Sequence, residues 1–413
     1  MRNISEIIDG KRKIVKKPEL LAPAGNLEKL KTAIMYGADA VFVGGKEFSL
    51  RSQASNFTID DIKEAVEFAN QYGAHIHVTC NIILHQDNLE GIEEYLKKLD
   101  EIGVSAIIVA DPYIMKIAKD LKLRLEVHVS TQLSTLNLKA IQFYADMGMD
   151  RVVLGRETTY EDLKVIMKNT PIDIEYFIHG AMCIHYSGRC MLSNYLSRRD
   201  ANRGGCSQSC RWYYDLYDQG QLVNQEGDMP FSMSSKDMSL VDHIGELIEL
   251  GVDSFKIEGR MKSLHYIATV VSTYRKLIDC YCEDPDLFQH SSFYRQELNK
   301  AANRALCHGF FYEHPTKDEQ LFNLRDEHPT QEFIIRVLDY DNEKKLAKIE
   351  QRNYFKIGDK VEIFSPHHEN VVMDICKIYN ENMELVEVAN HPMEILYIEI
   401  DYPVQMNDMG RKV

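Results

Sequence analysis

The sequence predicts an α/β fold: a (β/α)8 TIM-like barrel with a cysteine-rich insertion before its last strand, then a small C-terminal antiparallel β-barrel. Three observations predict it. Short apolar, β-branched runs alternate with amphipathic stretches about eight times between Pro18 and Cys282. The alternation breaks once, over residues 181–250, where four of the nine cysteines sit. From Gln331 onward the helical period disappears and alternating strands divided by turn residues take over.

The elements follow in order. Residues 1–17, ending in KRKIVKK, read as a basic, solvated N-terminal tail. The barrel domain spans 18–282. Its strands are ELLAP, AVFVGG, HIHVTC, SAIIVA, RLEVHV, RVVLG, IDIEYFIHG and DSFKIEG, each but the seventh followed directly by a helix of period 3.6. Buried β-branched runs joined by such helices specify parallel strands with crossover connections. YGADAVFVGG, DMGMDRVVLG and ELGVDSFKIEG repeat one turn in which glycine ends a helix and an aspartate precedes the next strand. That recurrence favours quasi-equivalent barrel units over the alternative, a doubly wound open sheet, which periodicity alone does not exclude. Residues 283–330 read as a polar connector. Residues 331–413 hold six short strands: FIIRVLDYD, KLAKIEQRN, DKVEIFSP, VVMDICKIY, MELVEVAN and ILYIEIDYP.

Composition narrows the function. With 413 residues and 45% hydrophobic content the chain buries a large core. A net charge of −15 argues against a protein that grips nucleic acid over its whole surface, because such binding rests on phosphate neutralisation. Local basic patches remain: Lys11 to Lys17, and the arginines Arg198, Arg199, Arg203 and Arg211 among the cysteines. The N-terminus lacks an apolar signal-peptide core and no run approaches a membrane span, so the expected location is the cytoplasm.

In that reducing compartment clustered cysteines point to metal or catalysis rather than disulfides. The spacing is Cys183-x6-Cys190-x15-Cys206-x3-Cys210. Four thiolates in one glycine- and arginine-rich insertion can close an S4 site that suits zinc or an iron–sulfur cluster. Zinc knuckles use tighter pairs than Cys183 and Cys190. A cysteine nucleophile, Cys183 beside His179 or His185, needs a third group to align the histidine, and nothing marks one. Cys80, Cys280, Cys282, Cys307 and Cys376 read as buried small hydrophobes.

The stretch EYFIHGAMCIHYSGRCMLS, from Glu175 to Ser193, resembles the signature of the peptidase U32 family. Glu175, Phe177, Gly180, Ala181, Met182, Cys183, Gly188, Cys190, Leu192 and Ser193 carry the match. ELLAPAGNLEKLKTAIMYGADAVFVGG, SRRDANRGGCSQSCRW, SSKDMSLVDHI and FKIEGRMKS extend it over most of the chain. The resemblance implies a 4Fe-4S cluster on Cys183, Cys190, Cys206 and Cys210, with zinc as the alternative. Some relatives place the fourth ligand just after the Ser-x-Lys-Asp motif, where this chain has SSKDMS and no cysteine, so Cys210 takes that role here. The full-length form is similar to members that hydroxylate the wobble uridine of tRNA to 5-hydroxyuridine with prephenate as co-substrate. The family label implies a collagenase-like peptidase instead, although no His-Glu-x-x-His motif or protease triad is present. A non-catalytic subunit paired with a paralogous U32 chain is the third reading.

In a parallel barrel the site forms where strands end at their carboxyl side. Arg51, Arg156, Lys256 and Arg260 fall there, and arginine suits the two carboxylates of prephenate through bidentate contacts. His128, His179 and Glu258 are the candidate acid–base groups, and Glu126 points the same way as His128 by strand alternation. The plain alternative for the arginines is pairing with Glu157 or Glu258, and for the histidines a structural hydrogen bond inside the barrel. Arg198, Arg199, Arg203 and Arg211 are the candidate RNA contacts.

Overall fold

A computed structural model of the chain describes residues 4–8, 11–49, 56–223, 231–290, 292–321 and 331–413. The first segment corrects the expectation of a solvated tail. Strands β1 (Ser5–Ile8) and β2 (Lys11–Ile14) form an antiparallel hairpin with Ile14 buried. The basic residues are spent on the body of the protein: Arg12 bonds to Glu249 at 2.8 Å and Asp286 at 2.9 Å, and Lys11 to Asp284 at 3.0 Å. Carboxylates far along the chain supply the partners, which local composition does not reveal.

Eight parallel strands then close into a barrel: β3 (Glu19–Pro23), β4 (Ala40–Gly44), β5 (His75–Cys80), β6 (Ala106–Val109), β7 (Glu126–Val129), β8 (Arg151–Val153), β9 (Asp173–Gly180) and, after the insertion, β13 (Ser254–Ile257). Each pairs with the next, and β13 pairs with both β3 and β9, so the sheet has no open edge there and the doubly wound alternative is excluded. Helices α1 (Leu27–Met35), α2 (Ile59–Tyr72), α3 (Ile92–Glu101), α4 (Pro112–Asp120), α5 (Leu138–Asp146) and α6 (Tyr160–Asn169) lie between consecutive strands. Local chemistry starts them: Asn26, Thr58, Asp111, Asn137 and Thr159 accept hydrogen bonds from first-turn amides. Gly73 ends α2 in the left-handed conformation, at φ 67°.

The insertion carries α7 (Leu192–Ser197), a small hairpin of β10 (Tyr217–Asp218) and β11 (Gln221–Leu222), and β12 (Asp237–Ser239). β12 pairs antiparallel with the end of β9, Met238 opposite Gly180. After α8 (Ile244–Glu249) and β13 comes α9 (Leu264–Glu283), a 20-residue helix capped by Ser263. The expected connector is structured: α10 (Ser292–Ala301) packs on α9, and β14 (Leu306–Cys307) pairs with β12. Of the cysteines expected inside the core, Cys80 and Cys282 are buried, whereas Cys280 and Cys376 are exposed.

The C-terminal region forms β15 (Phe333–Asp341), β16 (Leu346–Gln351), β17 (Phe355–Lys356), β18 (Lys360–Phe364), β19 (Val371–Asp374), β20 (Ile378–Tyr379), β21 (Leu385–Val386), β22 (Val388–Ala389), β23 (Ile395–Glu399) and β24 (Met409–Lys412). Eight of these make an antiparallel half-barrel with β19 and β21 at its two ends, around a core that includes Ile335, Ile349 and Ile398. Phe364 and Met409 face the other way, into the barrel's own apolar core. Among the described residues no helix is long and apolar enough to cross a membrane.

Burial of titratable groups along α9 gives a testable stability profile. His265 stacks on Phe333 with ring centroids 5.5 Å apart, and His179 lies between Tyr266 and Tyr274. Burial holds both neutral, pushing His179 from 6.5 to about 4 and His265 to about 3. The unfolded chain binds these protons near 6.5, so their contribution is complete above that pH and is lost as pH falls toward the folded values. Each ring costs up to about 1.4 kcal/mol per pH unit over that window. The urea midpoint should therefore drop steadily between about pH 7 and 5, and less steeply in a His265→Gln chain; a flat wild-type profile would contradict this.

Candidate active site

The carboxyl ends of the barrel strands and the underside of the insertion enclose a cavity of about 660 Å³. Phe42, Ile108 and Phe177 give it an apolar floor, with Thr79 and Ser130 beside them. Its charge is one-sided: Arg156, Arg199, Arg211, Lys256, Arg260, Lys262 and Arg304 line it, against Glu258 as the carboxylate in the wall. Such a concave, low-dielectric wall of one sign concentrates anions.

Five of these cations are held in place by named neighbours. Arg156 lies over the Phe177 ring, 3.8 Å from its centroid, and 3.7 Å from Glu258. Arg260 is buried and donates to Asn56 at 2.6 Å and to Ser49 at 3.5 Å. Gly44 permits this: a Cβ there would stand 2.3 Å from the Arg260 guanidinium. Lys256 donates to Glu175 at 2.6 Å and sits 4.4 Å from the Phe42 centroid. Asp237, at the start of β12, receives Arg304 at 3.0 Å and Lys262 at 3.4 Å. Burial pushes its carboxyl up, but the two cations outweigh it and hold Asp237 below the usual range.

The cysteine insertion roofs this space. Gly180 turns the chain away from β9 at φ 118°, where a Cβ would meet the Glu258 carbonyl oxygen at 2.5 Å. Cys183, Cys206 and Cys210 line the cavity, and the Cys190 carbonyl accepts from Asn202 at 3.1 Å. All four thiols are free of disulfides. Burial pushes the Cys183 and Cys210 thiols up, and the neighbouring cysteines, Cys190 and Cys206 included, add to the effect in both. These four thiols are thus close enough to raise one another, and three of them face the cavity. Among the described residues no three of these sulfurs lie within 4.8 Å of one another. A single tetrahedral zinc would draw its sulfurs to about 3.8 Å, from Zn–S bonds of about 2.3 Å.

Other expected site residues fall elsewhere. His128 is fully buried beneath the cavity floor, where its Nε2 pairs with Glu126 at 2.8 Å. His179 shares a 3.2 Å hydrogen bond with the Tyr274 hydroxyl on α9, because the strand shifts register beside Ile257 and turns the ring out of the barrel. Neither reaches the cavity, which corrects their reading as acid–base groups there. Arg211 is a tether rather than a surface contact, donating to the Met182 carbonyl at 2.9 Å and Ser234 at 3.1 Å. Arg203 pairs with an exposed loop, 3.2 Å from His85 and 3.6 Å from Asp87, and shares a surface depression with Arg198 and Arg199. Arg198 and Arg199 line a second depression of about 450 Å³ beside Lys46. Arg51 lies outside the described residues. Sequence reasoning did not single out Lys262, which stands in the quoted FKIEGRMKS stretch, or Arg304, which comes from the supposed connector.

Below the floor the barrel is polar. Arg151 donates to Glu19 at 2.6 Å and approaches Glu175 at 3.4 Å, and Ser254 donates to Glu19 at 2.7 Å. Burial opposes ionisation of Glu19, yet His77 and Arg151 outweigh it and bring the carboxyl down to about 2.

Comparison with known proteins agrees with this architecture. Residues 25–321 match the family model described as peptidase family U32, and residues 329–411 that of the family's C-terminal domain. The tRNA hydroxylation protein P1 of Bacillus subtilis (strain 168) is 51% identical over 413 residues, covering 99% of this chain and 98% of that protein. The 23S rRNA 5-hydroxycytidine C2501 synthase of Escherichia coli (strain K12) is 42% identical over 276 residues, 66% of this chain and 41% of that protein. A crystal structure of the C-terminal domain of a Geobacillus thermoleovorans U32 peptidase is 39% identical, with a TM-score of 0.20, over 20% of this chain and 92% of that one.

The roof depends on one close approach. Gly188 has φ 75°, and a Cβ there would lie 2.1 Å from the Gln132 carbonyl oxygen. Gly188→Ala should cost at least about 2 kcal/mol in urea denaturation, combining left-handed strain with a backbone clash. Gly220→Ala, at φ 84° with nothing within 4 Å, should cost only about 1 kcal/mol; equal losses would contradict the packing described.

Proposed function

This chain belongs to peptidase family U32, and from that premise we propose that it is an iron–sulfur RNA-modifying enzyme that hydroxylates the wobble uridine of tRNA to 5-hydroxyuridine with prephenate as co-substrate. The observation that carries the reading is the full-length relationship to a protein named for tRNA hydroxylation. The relationship to an rRNA 5-hydroxycytidine synthase supports hydroxylation of a pyrimidine at the same carbon.

The cavity suits both substrates. At about 660 Å³ it accommodates a small dicarboxylate and one extruded base. Arg156 and Arg260 are the anchors for two carboxylates, with Lys262 and Arg304 within the same wall. The Phe42 and Phe177 floor offers an apolar face to a ring. Cys183, Cys190, Cys206 and Cys210 would hold a 4Fe-4S cluster, which when bound supplies redox or Lewis-acid chemistry. Buried Lys256, paired with Glu175, places its amino group at the floor as a hydrogen-bond donor.

The surface beside the cavity supports an RNA partner. Tyr186, Tyr195, Trp212 and Tyr213 of the insertion are exposed, Tyr195 at 80%, and Arg189 and Arg198 stand among them. Aromatic faces beside guanidinium groups stack unpaired bases of a loop. Against the peptidase reading, His179 is engaged by Tyr274, and the Cys183 thiol is pushed up by burial rather than down.

Nucleoside analysis of tRNA from a strain lacking the gene is the deciding test. Derivatives of 5-hydroxyuridine should vanish, return with the wild-type gene, and stay absent with Cys190→Ala; unchanged levels in the deletion strain would remove this function. Arg260→Ala should lower the modification about 10- to 100-fold, the scale of one lost charge-assisted contact. Tyr195→Ala and Trp212→Ala should each weaken binding of an anticodon stem-loop by about 1–3 kcal/mol while leaving prephenate affinity unchanged. Wild-type RNA affinity in both variants would move the RNA to another face.

A further inference from the structure

The lower half of the barrel contains a second convergence of ligand atoms, separate from the cysteines. A ring nitrogen of His77, a ring nitrogen of His128 and a carboxylate oxygen of Glu175 lie within 4.8 Å of one another, all on buried residues. They belong to β5, β7 and β9, two residues before Thr79, Ser130 and Phe177 of the cavity wall, and so form the layer beneath its floor. Each imidazole has a carboxylate behind Nε2. Glu126 pairs with His128 Nε2 at 2.8 Å, and Glu19 stands 4.0 Å from His77 Nε2. A proton on Nε2 leaves Nδ1 as a bare lone pair, and Nδ1 of both rings is buried with no hydrogen-bond partner. Unsatisfied buried acceptors are costly, and the two rings that carry them converge here with a carboxylate.

The charge count points the same way. Glu19, Glu126, Asp173 and Glu175 supply four carboxylates around this layer, and Arg151 and Lys256 supply two cations. Glu126 and Asp173 are half exposed at the amino end of the barrel, while Glu175 is fully buried. Glu19 and Glu175 in the interior are matched by Arg151 and Lys256, and the two half-exposed carboxylates add negative charge from the amino end that a divalent cation would offset.

We propose that His77, His128 and Glu175 bind one late first-row divalent metal ion through two imidazole nitrogens and a carboxylate oxygen. Nitrogen donors select zinc, iron or cobalt over calcium or magnesium. Glu126, and Glu19 more loosely, occupy the outer positions that orient metal-bound imidazoles. A single water donating to both rings is the competing occupant. The inference does not rest on the RNA-hydroxylation reading and survives its failure.

Co2+ titration of the chelator-treated full-length protein tests it, with visible spectroscopy separating nitrogen and oxygen ligation from the intense sulfur charge-transfer bands of a cysteine site. One equivalent without sulfur bands is expected, retained in Cys190→Ala and weakened at least 100-fold in His77→Gln and His128→Gln. Added Co2+ should raise the melting temperature of the Cys190→Ala chain and leave that of a Cys190→Ala, His128→Gln chain unchanged. Should the histidine variants not fold, Glu126→Gln, at the solvent-facing end, is expected to fold and to bind about 10- to 100-fold more weakly. Absence of a sulfur-free equivalent in the wild-type chain, or affinity unchanged in Glu126→Gln and the folded histidine variants, overturns the proposal in favour of water.

Discussion

The pairing of β9 with β13, the seventh and eighth strands of the barrel, sets the position of everything else in the site. The two strands pair side by side through Glu175–Ser254, Tyr176–Phe255 and Phe177–Lys256, although more than seventy residues separate them in the chain. The intervening insertion must leave and re-enter on one side of the seam. Gly180 makes the exit possible, since a side chain there would strike the Glu258 carbonyl. β12 then returns antiparallel along the end of β9 before the chain can reach β13. A segment so constrained at both ends has little choice but to cross the barrel mouth, carrying its cysteines over the cavity. The same seam brings Lys256 onto Glu175 and sets Glu258 beside Arg156.

Electrostatics separates the cavity from the rest of the molecule. The chain carries a net −15, yet the charged residues of the cavity wall are cationic except for Glu258. Acidic surroundings discourage indiscriminate binding of polyanions, while a cationic cleft retains local attraction at contact distance, within a Debye length of about 8–10 Å. Asp237 is the element that makes the crowding tolerable. It binds Arg304 and Lys262 together, and without it their like charges would oppose each other in a partly buried wall. Arg304 comes from the segment after α10, so the wall is complete only when the barrel, the insertion and the following helices are assembled.

This assembly explains what could be read from the sequence. Strands such as Ala40–Gly44 and Ala106–Val109 are legible because burial on both faces demands continuous apolar runs, and the helices because their period and caps are local properties. The cysteine insertion was visible as a break in that rhythm. Three kinds of feature were not. The hairpin at Ser5–Ile14 owes its place to ion pairs with residues more than 200 positions away. The direction of His179 depends on a register shift that no residue type announces. The depth of His128 along the barrel axis is set by strand stagger, so strand alternation correctly placed Glu126 with it while leaving open whether the pair faced the mouth or the opposite end.

Helix α9 links the catalytic half to the terminal sheet. One face covers β3 and the barrel, and the other receives the sheet through His265 against Phe333 and Phe364. Arg411 of β24, fully buried, reaches Glu362 at 2.8 Å within its own sheet, Glu297 of α10, and Thr269 of α9 at 3.5 Å. A buried guanidinium is tolerated only with its carboxylates in place, so detaching the sheet would strand charge on both sides of the junction. On the opposite side of the barrel's first helix, Glu28 of α1 accepts Arg336 at 2.6 Å and Arg352 at 2.7 Å. The sheet is thus gripped from α1 and from α9, the helices flanking β3, where the barrel's circle of strands begins and closes. A domain anchored at that place stiffens the junction of first and last strands, and with it the seam from which the insertion springs.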